Sequence, residues 1–285
     1  MRKLASIFSI SLLLIIAGIF IYGCHSGLDR SSLIEKYAQP PSQFIEIEGL
    51  NVHYRETGKG IPVVLLHGVA SSLHTWRFWQ PELAKHFRVI SIDVPAFGLT
   101  GPFPDNLYSL KRYMKFFDEL TEKLAIDSAY LVGNSFGGLL TWNYALHNPQ
   151  NVKKAVLVDA AGFPRKMKDI DLGFLLCQSP YTSWFSRLFT PREIVQHSIK
   201  NAYKDDSKIT DEQIDIYFDL LVCEGNREAF SHVLNMLVDK EDNTEKLKSL
   251  TQPTLIMWGD DDQLIPLEKA HRFHELIPNS EFKYL

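Results

Sequence analysis

Cysteine is scarce in this chain. Its 285 residues hold three, Cys24, Cys177 and Cys223. None stands in a C-x-x-C pair or in a Cys/His cluster with metal-ligand spacing, so neither a zinc site nor another metal is expected. Cys177 and Cys223 read as buried free thiols, not as a structural disulfide. Long basic runs are missing too, and the formal net charge is -4. A nucleic-acid partner is therefore not expected. Internal repeats and low-complexity tracts are also lacking, which excludes a solenoid. What remains is ordinary globular composition, 45% hydrophobic and 22% charged. The length suits one large α/β domain, with or without an inserted lid.

The first segment is directed to a membrane. Arg2 and Lys3 precede an uncharged, mostly apolar run from Ala5 to Gly23. As a helix it would be roughly 28 Å long, close to the bilayer core. The leading charges favour an N-in orientation, with the rest of the chain on the periplasmic or extracellular side. Three readings stand: an uncleaved anchor, a cleaved signal, and a lipoprotein signal. Ile21-Tyr22-Gly23-Cys24 is similar to a lipoprotein box, although Tyr22 is bulky for one. Anchor or lipid attachment is favoured over free secretion.

Residues 26–42 are polar, contain Pro40-Pro41 and read as a linker. An opening hairpin follows, with Phe44 to Ile47 and Val52 to Tyr54 alternating apolar and polar around Gly49. Continuous apolar runs predict strands buried on both faces at Pro62 to Leu66, Arg88 to Ile92, Ala129 to Val132, Ala155 to Val158 and Thr254 to Trp258. Helical patterns lie between them, including Leu110 to Leu124 and Phe136 to His147. This alternation implies a mainly parallel sheet flanked by helices. It breaks after Asp159. Residues 162–224 are helical in pattern, strand-poor and aromatic-rich, including Tyr181, Trp184, Phe185, Phe189, Tyr217 and Phe218. A run too long for one crossover predicts an inserted helical cap.

Three motifs carry chemistry. Gly133-Asn134-Ser135-Phe136-Gly137 matches G-x-S-x-G, directly after a buried strand and directly before a helix. That is the setting of a nucleophile elbow, a turn so tight that Ser135 is strained and Gly133 and Gly137 leave room for the backbone. His67-Gly68 ends the strand from Pro62. The loop after it should supply one oxyanion donor, the N–H of Val69, and the residue after the nucleophile, Phe136, the other. His67 is read as holding this loop by hydrogen bonds and not as the general base. Trp258-Gly259-Asp260-Asp261-Asp262 follows the last long strand, where a carboxylate can orient an imidazole. Chemistry alone leaves the three aspartates open, and their spacing does not fit a calcium loop.

On these motifs, together with Asp93 to Gly98 and Pro266, the chain from Phe44 to Leu285 resembles the α/β-hydrolase superfamily, in its capped, serine-nucleophile esterase, lipase and C–C hydrolase branch. The resemblance implies an α/β fold with Ser135 as nucleophile and Asp262, fourth after Trp258, as the triad acid. Asp159, after the preceding strand, is a minor alternative for that acid. The implied domain plan is a membrane-directed segment at 1–25, a linker at 26–42, a hydrolase core at 43–161 and 225–285, and a cap at 162–224. The implied chemistry is cleavage of small to medium apolar carboxylic esters through an acyl-serine, without a cofactor. The alternatives are a C–C bond hydrolase with the same triad and a non-catalytic binding protein.

One element of the pattern is not met. The base histidine of the family follows the final strand, here read at Glu281 to Leu285, where this sequence stops. His271 and His274 precede that strand, on a helical pattern at the sheet's flank. The expectation is a C-terminally incomplete core, inactive as written for want of its base.

Overall fold

Five-residue apolar runs make strands when both faces are covered, and here both are. The computed structural model describes residues 18, 23, 27–164, 188–237, 243–262 and 264–285. Eight strands form one sheet in the order β1-β2-β4-β3-β5-β6-β7-β8. They are β1 (Ser42–Ile47), β2 (Leu50–Thr57), β3 (Pro62–Leu66), β4 (Arg88–Ile92), β5 (Ala129–Asn134), β6 (Val152–Val158), β7 (Thr254–Trp258) and β8 (Ser280–Tyr284). The β1–β2 hairpin and the β2–β4 pair are antiparallel; every later pair is parallel. The strand period of two is visible in β3. Val64 and Leu66 join the larger core cluster, while Val63 and Leu65 join a second one with Trp76, Val89, Val132 and Val158.

The helices among the described residues are α1 (Arg30–Tyr37), α2 (Trp79–Leu83), α3 (Leu110–Lys123), α4 (Phe136–His147), α5 (Arg192–Ala202), α6 (Asp211–Val222), α7 (Asn226–Leu237) and α8 (Glu268–Leu276). α3 starts on Ser109, whose hydroxyl accepts from Arg112 N–H. It buries Tyr113, Met114, Phe116, Phe117 and Leu120 on one face. α4 is buried nearly all round from Phe136 to Trp142, as a helix in the centre of a core must be. α6 opens with a capping box between Thr210 and Gln213. α5 and α6 share an apolar cluster of Val195, Ile199 and Ile214.

The linker expected at 26–42 is corrected by the structure, because α1 occupies most of it. Asp29 caps α1 by accepting from Ser32 N–H, and Leu33 is buried against Leu99, Ile216 and Leu220. Arg30 adds a polar hold at the start of the helix, and Lys36 and Tyr37 bond Asp219 at its end. The Arg30 guanidinium donates to the carbonyls of Gly98, Leu99 and Glu224 and to Asn226 Oδ1. These partners lie far along the chain, so a polar local composition hid a docked helix.

Several expectations fall on residues outside those described. They are the apolar run Ala5 to Gly23, apart from Gly18 and Gly23, and Cys24, Cys177, Tyr181, Trp184 and Phe185. Among the described residues no helix is long and apolar enough to cross a membrane. Cys223 is a buried free thiol.

Candidate active site

The turn from β5 to α4 is held by close backbone contact. Ser135 sits at φ 51° and ψ -111°, a left-handed φ that a non-glycine residue keeps only where its surroundings enforce it. Ser135 N–H donates to Val158 O at 3.0 Å, and Ser135 O accepts from Leu139 N–H and Ala161 N–H. The flanking glycines leave no space for a side chain. A Cβ on Gly133 would lie 2.1 Å from Gly137 O, and one on Gly137 would lie 2.1 Å from Leu66 O. Strand, turn and helix are thus in van der Waals contact, which drives Ser135 out to the carboxyl edge of the sheet.

The loop after β3 passes beside this serine. A Cβ on Gly68 would be 3.3 Å from Ser135 Cβ. His67 is fully buried, and both ring nitrogens are engaged by backbone. Nδ1–H donates to Gly68 O at 2.7 Å, and Nε2 accepts from Val94 N–H at 2.9 Å. Burial pushes the His67 pKa down, against the pull of Asp93. A neutral imidazole with no free nitrogen fastens a loop and has no lone pair for proton transfer. Among the described residues, the N–H groups of Val69 and Phe136 donate to no protein acceptor. These are the two donors expected to face an oxyanion.

Asp93 braces the same loop from below. Its carboxylate accepts from Leu73 N–H, Leu99 N–H and His53 Nδ1, each at 2.7 Å. Burial alone would raise its pKa, but His53, His67 and the Leu73 N–H together outweigh burial and hold the carboxyl well below the usual range.

At the other end of the cavity the loop after β7 turns sharply. Trp258 Nε1–H donates to Ile265 O, and Asp262 Oδ1 accepts from Leu264 N–H at 2.7 Å and Ile265 N–H at 2.8 Å. This turns Asp262 towards the cavity. Asp260 points outward and pairs with Lys204 at 3.0 Å. Asp159, at the end of β6, also lines the cavity and accepts from Gly259 N–H at 2.8 Å.

The cavity has a volume of about 440 Å³, within the ordinary range for a small-molecule site. Gly68, Val69, Ser135, Asp159 and Asp262 line its floor, and Ile194, Val195, Ile199 and Tyr217 line it from α5 and α6. The structure therefore brings together Ser135, Asp262 and the Val69 loop, with Phe136 following the serine. It brings no histidine among the described residues to this cavity. His271 packs on Phe282, and His274 Nδ1 meets Ser280 Oγ at 2.8 Å, both on the flank of β8. Sequence reasoning missed a hydroxyl group of three in the wall. Ser71 Oγ and Thr75 Oγ1 are 2.7 Å apart, and Tyr217 OH lies 3.4 Å from each. Nothing local in the sequence pairs α6 with residues about 140 positions earlier. No group of three or more His, Cys, Asp or Glu among the described residues is placed to hold a metal.

Comparison with known proteins agrees with this architecture. A family model described as the alpha/beta hydrolase fold matches residues 61–285. The chain is 30% identical over 245 residues to 2-hydroxy-6-oxo-6-(2'-aminophenyl)hexa-2,4-dienoic acid hydrolase of Metapseudomonas resinovorans, covering 84% of this chain and 80% of that one. It is also 30% identical to 2-hydroxy-6-oxo-2,4-heptadienoate hydrolase of Pseudomonas putida, covering 82% and 83%. Among solved structures, a meta-cleavage product hydrolase from Pseudomonas fluorescens IP01 superimposes with a TM-score of 0.71 at 28% identity, covering 85% and 88%. A thermophilic esterase from Thermogutta terrifontis gives 0.72 at 22% identity, covering 85% and 89%, a likeness of fold.

Proposed function

Because this chain belongs to the α/β hydrolase fold family, we propose that it is a serine hydrolase acting on a small to medium apolar carbonyl compound through an acyl-Ser135 intermediate. The observation that carries this is the strained Ser135 in a largely apolar cavity, beside the N–H groups of Val69 and Phe136, which meet no acceptor among the described residues. Ser135 Oγ attacks the carbonyl carbon, and the N–H groups of Val69 and Phe136 hold the oxyanion. The carbonyl re-forms as the leaving group departs and takes up the serine proton. Water then releases the acid. The proton passes through a general base, which the family resemblance makes an imidazole oriented by Asp262. No described residue of the cavity supplies that imidazole.

The relatives favour a carbon–carbon bond as the one cleaved. An oxo-dienoic acid carries neither ester nor amide, so a hydrolase named for one must break the bond beside its ketone. A carboxylic ester is the second reading, and the lining favours it. Among the described residues no Lys or Arg reaches the cavity, while two carboxylates do, so an anionic substrate gains no ion pair there. The helices α5 and α6 act as the cap in either reading. The run from Ala5 to Gly23 would hold the hydrolase domain at a membrane surface, on its periplasmic or extracellular side.

The test compares turnover of a 2-hydroxy-6-oxo-2,4-dienoate with that of p-nitrophenyl butyrate by the full-length protein. Loss of the dienoate chromophore at rates near 10 s⁻¹, an ordinary enzyme rate, supports carbon–carbon cleavage. Fast nitrophenol release alone supports the ester reading. A folded protein that does neither and takes no fluorophosphonate on Ser135 is a binding protein on this fold.

A further inference from the structure

Three hydroxyl groups in the cavity wall have no part in acyl transfer. Ser71 and Thr75 come from the loop and short turn after β3, and Tyr217 comes from α6. Each side of the trio is held by its own element. Ser72 caps the turn Leu73–Trp76, and Asp93 Oδ1 accepts from Leu73 N–H at 2.7 Å. The Tyr217 ring packs beside Val195, Ile199 and Ile214. Ser71 Oγ and Thr75 Oγ1 make an ordinary hydrogen bond at 2.7 Å, whereas Tyr217 OH stands 3.4 Å from both. A bond between hydroxyls is normally no longer than about 3.0 Å, so the Tyr217 proton is poorly spent on either neighbour. Each hydroxyl brings one donor and two lone pairs, and the trio therefore keeps a donor in reserve on the face of the cavity.

We propose that Ser71, Thr75 and Tyr217 form a subsite for a neutral acceptor oxygen, an ether or hydroxyl, carried on the substrate's chain away from the reacting carbonyl. The proposal deepens the acyl-Ser135 reading and rests on it for the place of that carbonyl. Ser71 is two residues past Val69, so their Cα atoms are at most about 7 Å apart. The subsite is thus a few bonds' length from the oxyanion. An oxygen lodged between Tyr217 and the Ser71–Thr75 pair takes the Tyr217 proton at ordinary length. A methylene at the same point strips water from the hydroxyls and returns no bond. Charge decides against an anion. Asp159 and Asp262 line the same cavity, and among the described residues no Lys or Arg does. The firm seating of both sides means that little ordering is left for the ligand to impose.

The experiment is equilibrium binding of methyl ketones by calorimetry, which needs neither turnover nor a general base. In 4-methoxybutan-2-one, 5-methoxypentan-2-one and 6-methoxyhexan-2-one an ether oxygen moves along the chain. Hexan-2-one, heptan-2-one and octan-2-one are their all-carbon partners. The ligands are offered to the full-length protein and to Tyr217→Phe and Thr75→Val, with folding checked by circular dichroism. At one chain position the ether should bind at least as tightly as its partner. Tyr217→Phe should weaken that ether about 3- to 10-fold, the worth of one neutral hydrogen bond, and its all-carbon partner by less than about twofold. Thr75→Val should act in the same direction. Equal weakening of both ligands by Tyr217→Phe would make the trio a tether between α6 and the loop, and overturns the proposal. So does the lack of an ether preference at every position. The charge is tested with 6-oxoheptanoate, which should bind less tightly than octan-2-one; tighter binding that Tyr217→Phe abolishes rules out a neutral ligand. If the ether is preferred in binding but neither a nitrophenyl ester nor a 2-hydroxy-6-oxo-2,4-dienoate is turned over, the subsite stands and the acyl-transfer reading is what fails.

Discussion

The two ends of the cavity are built from different materials. At the Ser135 end the backbone does the holding. Gly133 and Gly137 lie against carbonyls, and His67 is spent on Gly68 O and Val94 N–H. At the acid end a short loop is held through side chains, Trp258 Nε1–H donating to Ile265 O and Asp262 Oδ1 accepting from Leu264 N–H and Ile265 N–H, and two carboxyl groups flank one glycine. The contrast teaches where tuning is available. A close-packed turn has one geometry and is insensitive to the charge state of the medium. Burial raises the Asp159 pKa to about 6, so this carboxyl can gain or lose a proton in mildly acid solution.

The largest effect that separates the two ends is loss of the proposed nucleophile. Ser135→Ala should remove fluorophosphonate labelling and lower kcat on the order of 10⁶-fold, with circular dichroism unchanged. Retained turnover would move the chemistry away from the elbow.

Next comes the packing of that end. Gly137→Val places atoms where Leu66 O already stands, and destabilisation of about 3 kcal/mol or more should appear in urea unfolding. A mild effect would mean that the turn is looser than its contacts.

The acid end should respond to pH instead. The folded Asp159 pKa of about 6 lies above the unfolded 3.8, so the folded state holds the proton more tightly. Stability from this group is present below pH 4 and is lost as pH rises to 6. The gain of Asp159→Asn over the parent should therefore grow between pH 4 and pH 7 by on the order of 2 kcal/mol, read as paired urea midpoints. A constant difference would break the contrast drawn above.

The smallest effect belongs to the outward aspartate. Asp260→Asn removes an exposed pair with Lys204 and should change turnover by less than about twofold.

Much of the fold was legible because it is written locally. The apolar runs at Pro62 to Leu66, Arg88 to Ile92 and Thr254 to Trp258 are strands β3, β4 and β7, and Phe136 to His147 is α4 residue for residue. Strand and helix periods need no knowledge of distant partners. The helix α1 was not legible, since its bonds from Arg30 reach 68 to 196 positions along the chain. The elbow stood out as a pattern, but which of three aspartates turns inward depends on the closure from Trp258 Nε1 to Ile265 O. That closure, and the reach of Tyr217 to Ser71, are tertiary facts with no short-range sign.

The guanidinium of Arg30 has a practical bearing on where this chain can be cut. It satisfies carbonyls in the Gly98–Leu99 loop and at the entry to α7, and a β-bridge joins Leu28 to Cys223 nearby. A shortened protein begun at the first strand, Ser42, would leave those carbonyls open and uncover Leu99 and Leu220. Expression boundaries that keep Leu28 retain the seam between the sheet's front loop and the helices above the cavity. Boundaries placed after Tyr37 would yield a domain whose sheet is complete but whose roof has lost its stitching.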